Sequence, residues 1–321
     1  MQSNLSFEKH LEEKIYKAKR VIGLLKHFSK FLPLRTLDMM YKTLARPHFD
    51  YCDLIYHIQP TSTETGLTLH RAMEKVEKTQ YAAALSITGA WHGSSRSKIY
   101  DELGWETLSD RRLCKRILQV HKLIDDKAPG YLKEKLPPNR NNFLPYVFQN
   151  VRCRTECYKS SFYPNATYLG NEIISEFENL PTFDSLKSHL LSFFRPTPKS
   201  VFNVHDPVYL RNIFQLRLGL SGLNAHKRHH NFVDTPNAEC LCKGEEETTH
   251  HFLFDCTLFA EFRPRLINSV SEVLQKHGLL QLAYKTDIYL YGHCSIDVLD
   301  NRNILLSTIK YLKDTKRFST S

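Results

Sequence analysis

The sequence predicts a mainly α-helical protein: a helical bundle, an irregular connector, and a small helical domain built round a CCHC metal site. Three observations carry this expectation. Apolar residues recur at spacings of three and four over long stretches, prolines and glycines fall between those stretches, and three cysteines with a histidine crowd into residues 240–256. The expected divisions are a bundle over 1–136, a connector over 137–200 and a C-terminal domain over 201–321.

The first helix is expected over 7–32, with Leu11, Ile15, Ala18, Ile22 and Leu25 on one face and Lys14, Lys17, Arg20 and Lys26 largely off it. Pro33 ends or kinks it. A second helix carries Leu37, Met40, Tyr41 and Leu44, and Pro47 is expected to stop it, because an interior proline removes a hydrogen bond and clashes with the preceding turn. The aromatic stretch 49–58 fits a helix or a strand. A third helix over about 67–87 turns Leu69, Ala72, Met73, Val76 and Ala83 inward, with Gly89 as its C-cap. A fourth, over about 110–126, has capping-box spacing at Thr107 and Asp110 and an apolar face of Leu113, Ile117, Val120 and Ile124. Four such helices with short connections form a bundle, not a nucleotide-binding sheet.

Residues 137–200 are rich in Pro, Asn and Ser and show one helical period, near 185–194. The period returns at Leu210, Ile213, Phe214, Leu216 and Leu220, and again over 262–280 and 304–311.

The strongest local signal is Cys240, Cys242, His251 and Cys256, in the order C-x-C-x8-H-x4-C. Three thiolates and one imidazole complete the tetrahedral shell of a single structural zinc ion. Gly244 suits a positive φ in the turn after the first pair, and the His251–Cys256 spacing suits a near-helical turn. His250 is the rival ligand, and three buried cysteines beside surface histidines are the plain alternative. The acidic run Glu245-Glu246-Glu247 opposes phosphate contact, so the metal is expected to hold structure.

A net charge of +10 favours a polyanionic partner, RNA or DNA. Candidate phosphate contacts are Arg111, Arg112, Lys115 and Arg116 on the fourth helix, and Lys227 and Arg228 ahead of the metal cluster. Solvated helix faces explain such runs equally well. Phe214, Phe232, Trp91 and Trp105 are the candidate stacking aromatics. No apolar stretch reaches membrane-spanning length and the N-terminus lacks a signal-peptide core, so the expected setting is intracellular. No phosphate loop, dinucleotide fingerprint, zincin or nucleophile-elbow motif occurs, and Asp125-Asp126 reads as a helix end. Cys153 and Cys157 have ligand-like spacing without a partner, and Asn165-Ala166-Thr167 fits a glycosylation sequon.

Several stretches resemble the jockey-like branch of non-LTR (LINE-type) retrotransposon reverse transcriptases. Leu5-Ser6-Phe7-Glu8-Lys9-His10 is similar to the end of that family's palm. Lys17-Ala18-Lys19-Arg20, Ala45-Arg46-Pro47-His48-Phe49-Asp50-Tyr51, Ile87-Thr88-Gly89-Ala90 and the run from Glu102 to Arg112 resemble its thumb. Phe193-Phe194-Arg195-Pro196, Leu216-Arg217-Leu218-Gly219-Leu220 and Leu223-Asn224-Ala225-His226-Lys227 resemble the approach to its zinc knuckle. Glu247-Thr248-Thr249-His250-His251-Phe252-Leu253 resembles the E-T-x-x-H-x-L core of the knuckle, which favours His251 as the ligand. Leu290-Tyr291-Gly292 and Thr315-Lys316-Arg317-Phe318 resemble its ending. Phe177-Glu178-Asn179-Leu180-Pro181 is a weaker match to the family's W-N-x-L-P segment, with Phe177 where the family usually has tryptophan.

The resemblance implies a thumb-like bundle plus zinc knuckle that holds template–primer and element RNA, with no polymerase centre and therefore no enzyme activity of its own. Other readings are an inert remnant, a part of a polymerase whose palm lies outside this chain, or a metal-dependent nuclease using Asp287, Asp297 and Asp300; the carboxylates are too sparse for the last.

Overall fold

The computed structural model describes residues 7–56, 64–141, 144–174, 176–177, 181–194, 206–235 and 237–318. Outside them lie the resemblance residues Leu5-Ser6, Glu178-Asn179-Leu180 and Arg195-Pro196, the side chains of Leu69 and Cys157, and the end of the aromatic stretch at 57–58. The fold is mainly helical; among the described residues the one sheet is a hairpin pairing Asn139–Asn141 with Leu144–Phe148. No helix among them is long and apolar enough to cross a membrane.

The chain forms two compact units whose segments interleave: residues 1–23, 40–82 and 104–197 make one, and 24–39, 83–103 and 198–321 the other. The sequence suggested contiguous divisions, because periodicity marks helices and not the point at which a helix passes from one unit to the next.

In the first unit the expected faces of the helices Glu8–Phe28 and Glu64–Thr88 are the buried ones. Leu11, Ile15 and Ala18 pack with Phe49, Tyr56, Ala72, Met73, Val76 and Leu108. The Leu34–Met40 helix runs into a π-helical turn, Tyr41–Ala45, where Arg46 N–H donates to Tyr41 O at 2.9 Å. That turn holds an extra residue, which shifts the phase: Ala45 is buried, and Leu44, expected inside, is 50% exposed. Pro47 opens the short Pro47–Asp50 helix instead of ending a longer one, since its missing N–H costs nothing in a first turn.

The Leu108–Ile124 helix is capped as expected, with Asp110 N–H donating to Thr107 Oγ1 at 3.0 Å. Its buried face is broader than four apolar residues, because both ends of the supposed connector close over it. The Phe162–Ile174 and Phe183–Phe194 helices bring Ala166, Ile174, Leu186 and Leu190 against Ile117 and Val120. Pro164, Asn165, Thr167, Gly170 and Asn171 hide the first of these helices from a propensity reading. Asn165 is buried in it and accepts from Arg116 Nη1 at 2.6 Å, which rules the sequon out as a modification site in the folded chain.

In the second unit the Pro207–Arg217 helix begins at the Asp206 N-cap and buries Leu210, Ile213, Phe214 and Leu216 as expected. Arg217 is 1% exposed and forms a 2.8 Å ion pair with Glu102, while its Nε donates to Leu290 O. The Arg263–Lys276 helix packs on the Val298–Thr315 helix, whose N-cap Asp297 accepts from the N–H groups of Leu299 and Asp300. Gly292 (φ +73°) precedes a turn held by Asn301; any Cβ there would lie 2.1 Å from Asn301 Oδ1.

Candidate metal centre

The four predicted ligands converge in the second unit. Cys240, Cys242, His251 and Cys256 place one ligand atom each within 4.8 Å of all the others. Local hydrogen bonds build both halves of the site. Glu239 and Glu246 form an antiparallel bridge, Cys240 N–H donates to Glu245 O at 2.9 Å, and Glu247 N–H donates to Ala238 O at 2.8 Å. The tight turn between them takes its positive φ at Lys243 (+59°) and not at Gly244, which corrects the sequence expectation. Gly244 acts through its backbone: its N–H stabilises the Cys242 thiolate and lowers that thiol to about 6.

The second half is a π-helical turn, His251–Asp255, closed by Cys256 N–H donating to His251 O at 2.8 Å. It is the near-helical turn that the spacing called for. Thr248 Oγ1 accepts from His251 N–H at 3.1 Å, and Arg263 donates through Nε to Leu253 O and through Nη2 to Cys256 O. The ligand turn is thus pinned at both ends.

The Cys240 and Cys256 sulfurs lie 3.6 Å apart, and Cys242 Sγ lies 3.3 Å from His251 Nε2. Zinc–sulfur and zinc–nitrogen bonds of about 2.0–2.3 Å put tetrahedral edges at about 3.3–3.8 Å, so these two pairs already stand at ligand separations. All three cysteines are free thiols, and 3.6 Å far exceeds a disulfide bond of about 2.05 Å. Burial pushes the Cys240 thiol up to about 12, so a dication is the natural counter-charge for a thiolate there. His251 Nδ1 is buried and has no hydrogen-bond partner; the exposed Glu245 carboxylate lies 3.7 Å from it. His250 faces away, exposed, with its ring 3.4 Å from Thr286 Oγ1 and 3.6 Å from Asp255. With four protein donors there is no open coordination position, so the metal would hold structure. Cys52, Cys114, Cys153 and Cys294 lie outside this group.

Glu247 departs from the acidic run read in the sequence. It is not part of a solvated acidic run: it is 1% exposed, and Arg317 Nε and Nη2 bind its two carboxylate oxygens at 2.6 and 2.7 Å. Asn224 N–H adds a third bond at 2.8 Å, so the carboxylate joins the ligand loop to the helix Asn224–His229 and to the C-terminal segment. Nothing next to Glu247 signals this, because its partner Arg317 lies 70 residues away in sequence.

The predicted phosphate contacts divide. Arg112 and Arg116 are 2% and 0% exposed. Arg111 pairs with Asp50 at 2.9 Å and Glu106 at 2.8 Å, and Lys115 pairs with Asp53 at 2.6 Å and Asp50 at 2.9 Å. Arg116 serves Asn165 and the carbonyls of Ser160 and Leu54. Burial of Arg112 and Arg116 corrects their reading as phosphate contacts, while Arg111 and Lys115 remain partly exposed at the surface with carboxylates as their partners. Lys227 and Arg228 lie in the last turn of the Asn224–His229 helix, Lys227 half-buried and Arg228 exposed.

Asp297 and Asp300 do come together, with His277, within metal-ligand range. The cation already there is the Lys276 ammonium, 2.7 Å from Asp300, which together with His277 holds the Asp300 carboxyl down at about 2. Asp125 and Asp126 pair with Lys127 and Lys133, in keeping with a helix end.

His226 lies beside the ligand loop. Its Nδ1 accepts from Ser221 Oγ–H at 2.8 Å, and its Nε2 is 3.4 Å from Thr249 Oγ1. Burial, helped by the charges of His230 and His229, lowers it to about 4. The fold therefore selects neutral imidazole. Its contribution is fully present above the unfolded value near 6.5 and drains away as pH falls from there to about 4, by at most about 3 kcal/mol. Denaturant titrations at pH 7 and pH 5 should show a smaller loss for His226→Asn than for the wild type. Equal losses would exclude His226 as the group responsible.

No family model, curated protein or solved structure matches the chain.

Proposed function

We propose that the protein is a zinc-stabilised nucleic-acid-binding module that corresponds to the thumb and zinc-knuckle region of a jockey-like non-LTR reverse transcriptase. The observation that carries this reading is the convergence of Cys240, Cys242, His251 and Cys256, with His251 inside the stretch from Glu247 to Leu253 that resembles that family's knuckle core. A +10 net charge and the cationic turn at Lys227 and Arg228 support an RNA or DNA partner. Its contribution is binding and not phosphoryl transfer; primer extension with magnesium or manganese, above a heat-killed control, would overturn that part.

The test is equilibrium binding of single-stranded RNA and DNA by the zinc-loaded protein over a salt series. Affinity should fall steeply with salt, and Lys227→Ala with Arg228→Ala should flatten the log–log slope by about 1.5, the share of two single-strand phosphate contacts. Absence of salt-sensitive binding to either strand at low ionic strength would overturn the reading.

A further inference from the structure

Four aromatic residues were open to a stacking role, and their surroundings separate them. Phe214 is fully buried, and Trp105 is 4% exposed and stacked on Tyr41 with centroids 4.2 Å apart. Those two are core. Trp91 and Phe232 are different. They meet within the second unit with ring centroids 4.6 Å apart, Trp91 half-buried and Phe232 37% exposed, and the exposed His230 ring stands edge-on to Trp91 at 6.2 Å.

Both aromatics sit on loops held by specific bonds. On one side the chain leaves its helix through Gly89 (φ +70°), where a Cβ would meet Arg211 Cδ at 2.8 Å, and Gln215 Nε2 donates to Gly89 O at 2.9 Å. Ser94 then closes the Trp91 turn through its N–H and hydroxyl, both donating to Trp91 O. On the other side Asn231 takes a positive φ (+56°), and Phe232 N–H donates back to Lys227 O at 3.1 Å. That bond sets Phe232 against the turn that carries Lys227, Arg228, His229 and His230. Asp234 is the one carboxylate between 224 and 238.

We infer that Trp91 and Phe232 form a stacking platform for unpaired bases of single-stranded nucleic acid, with the basic turn 227–230 tracking its phosphates. The inference rests on the nucleic-acid-binding reading above and gives that reading a location. Preordered rings that are partly exposed supply a π-face to any base, and cations beside them supply the counter-charge of the backbone. A duplex conceals its base faces, so the ligand is single-stranded. An apolar protein segment would leave the cationic side of the platform without a partner.

Trp91 is itself the reporter, because the only other tryptophan is the buried Trp105. Titrating the zinc-loaded protein with oligothymidylate and oligouridylate of about twelve nucleotides should quench its fluorescence. Trp91→Leu and Phe232→Leu should each weaken binding about 5- to 100-fold with the thermal midpoint little changed, and Phe232→Tyr should restore it. The two strands show whether the sugar matters; equal quenching fits base stacking alone. Salt-sensitive binding that neither quenches Trp91 nor responds to these variants would overturn the platform while leaving the nucleic-acid reading intact. Failure of any strand to bind at low salt would overturn both. A blunt duplex that binds as tightly as the single strands, or a dimer that Trp91→Leu converts to monomer, would also overturn the platform.

Discussion

His251→Ala is expected to release zinc, whereas His250→Ala retains one ion per chain. The two rings are adjacent in sequence but face opposite ways: His251 Nε2 stands 3.3 Å from Cys242 Sγ, and His250 is engaged with Thr286 and Asp255 at the surface. Loss of one of four ligands should lower affinity by more than the roughly 10- to 100-fold seen for outer partners of such ligands. Each tenfold loss removes about 1.4 kcal/mol of zinc-dependent stability at saturating metal. Chelation of the wild type should therefore loosen the segment 238–259, most of all the ligand loop 238–249, since the buried aliphatic and aromatic anchors Phe252, Leu253 and Phe254 all lie in the second half. Elemental analysis gives the stoichiometry, and amide exchange reports the loosening. Equal zinc retention in both variants, or purified wild-type protein without zinc, would remove the assignment.

The helical faces were legible because burial of a stripe needs only the 3.6-residue period, and Leu11, Ile15, Ala18, Ile22 and Leu25 are all inside. Leu44 escaped it, since a π-helical turn breaks the period without any compositional sign. The metal ligands were legible for another reason: they lie within seventeen residues of one another, and their chemistry is narrow. Charge was the poorest guide. Arg111 and Lys115 look like a basic helix face because their partners Asp50 and Asp53 lie about sixty residues away in sequence. Glu106, five residues before Arg111, is the one partner close in sequence, and it alone does not show that the cation is paired. The same limit applied to the aromatics, where Trp91 and Trp105 differ only in what the fold brings over them.

Glu247 offers the sharpest test of how the ligand loop is held. Its carboxylate is 2% exposed and receives both nitrogens of the Arg317 fork, and Arg317 also donates to Gly222 O at 3.0 Å. Removing either partner strands the other charge inside the protein, an outcome that typically costs about 3–5 kcal/mol. Glu247→Ala and Arg317→Ala are each expected to lose stability on that scale in denaturant titrations at saturating zinc. The zinc stoichiometry should stay at one, because no ligand is touched. The double variant Glu247→Ala with Arg317→Met should lose clearly less than the sum of the single losses, since it removes the uncompensated charge and leaves an apolar side chain in its place. Additive losses would show that the two residues act independently and that the carboxylate is held chiefly by Asn224. Loss of zinc in Glu247→Ala at saturating metal would show instead that the pair positions the ligands themselves, and not the loop around them.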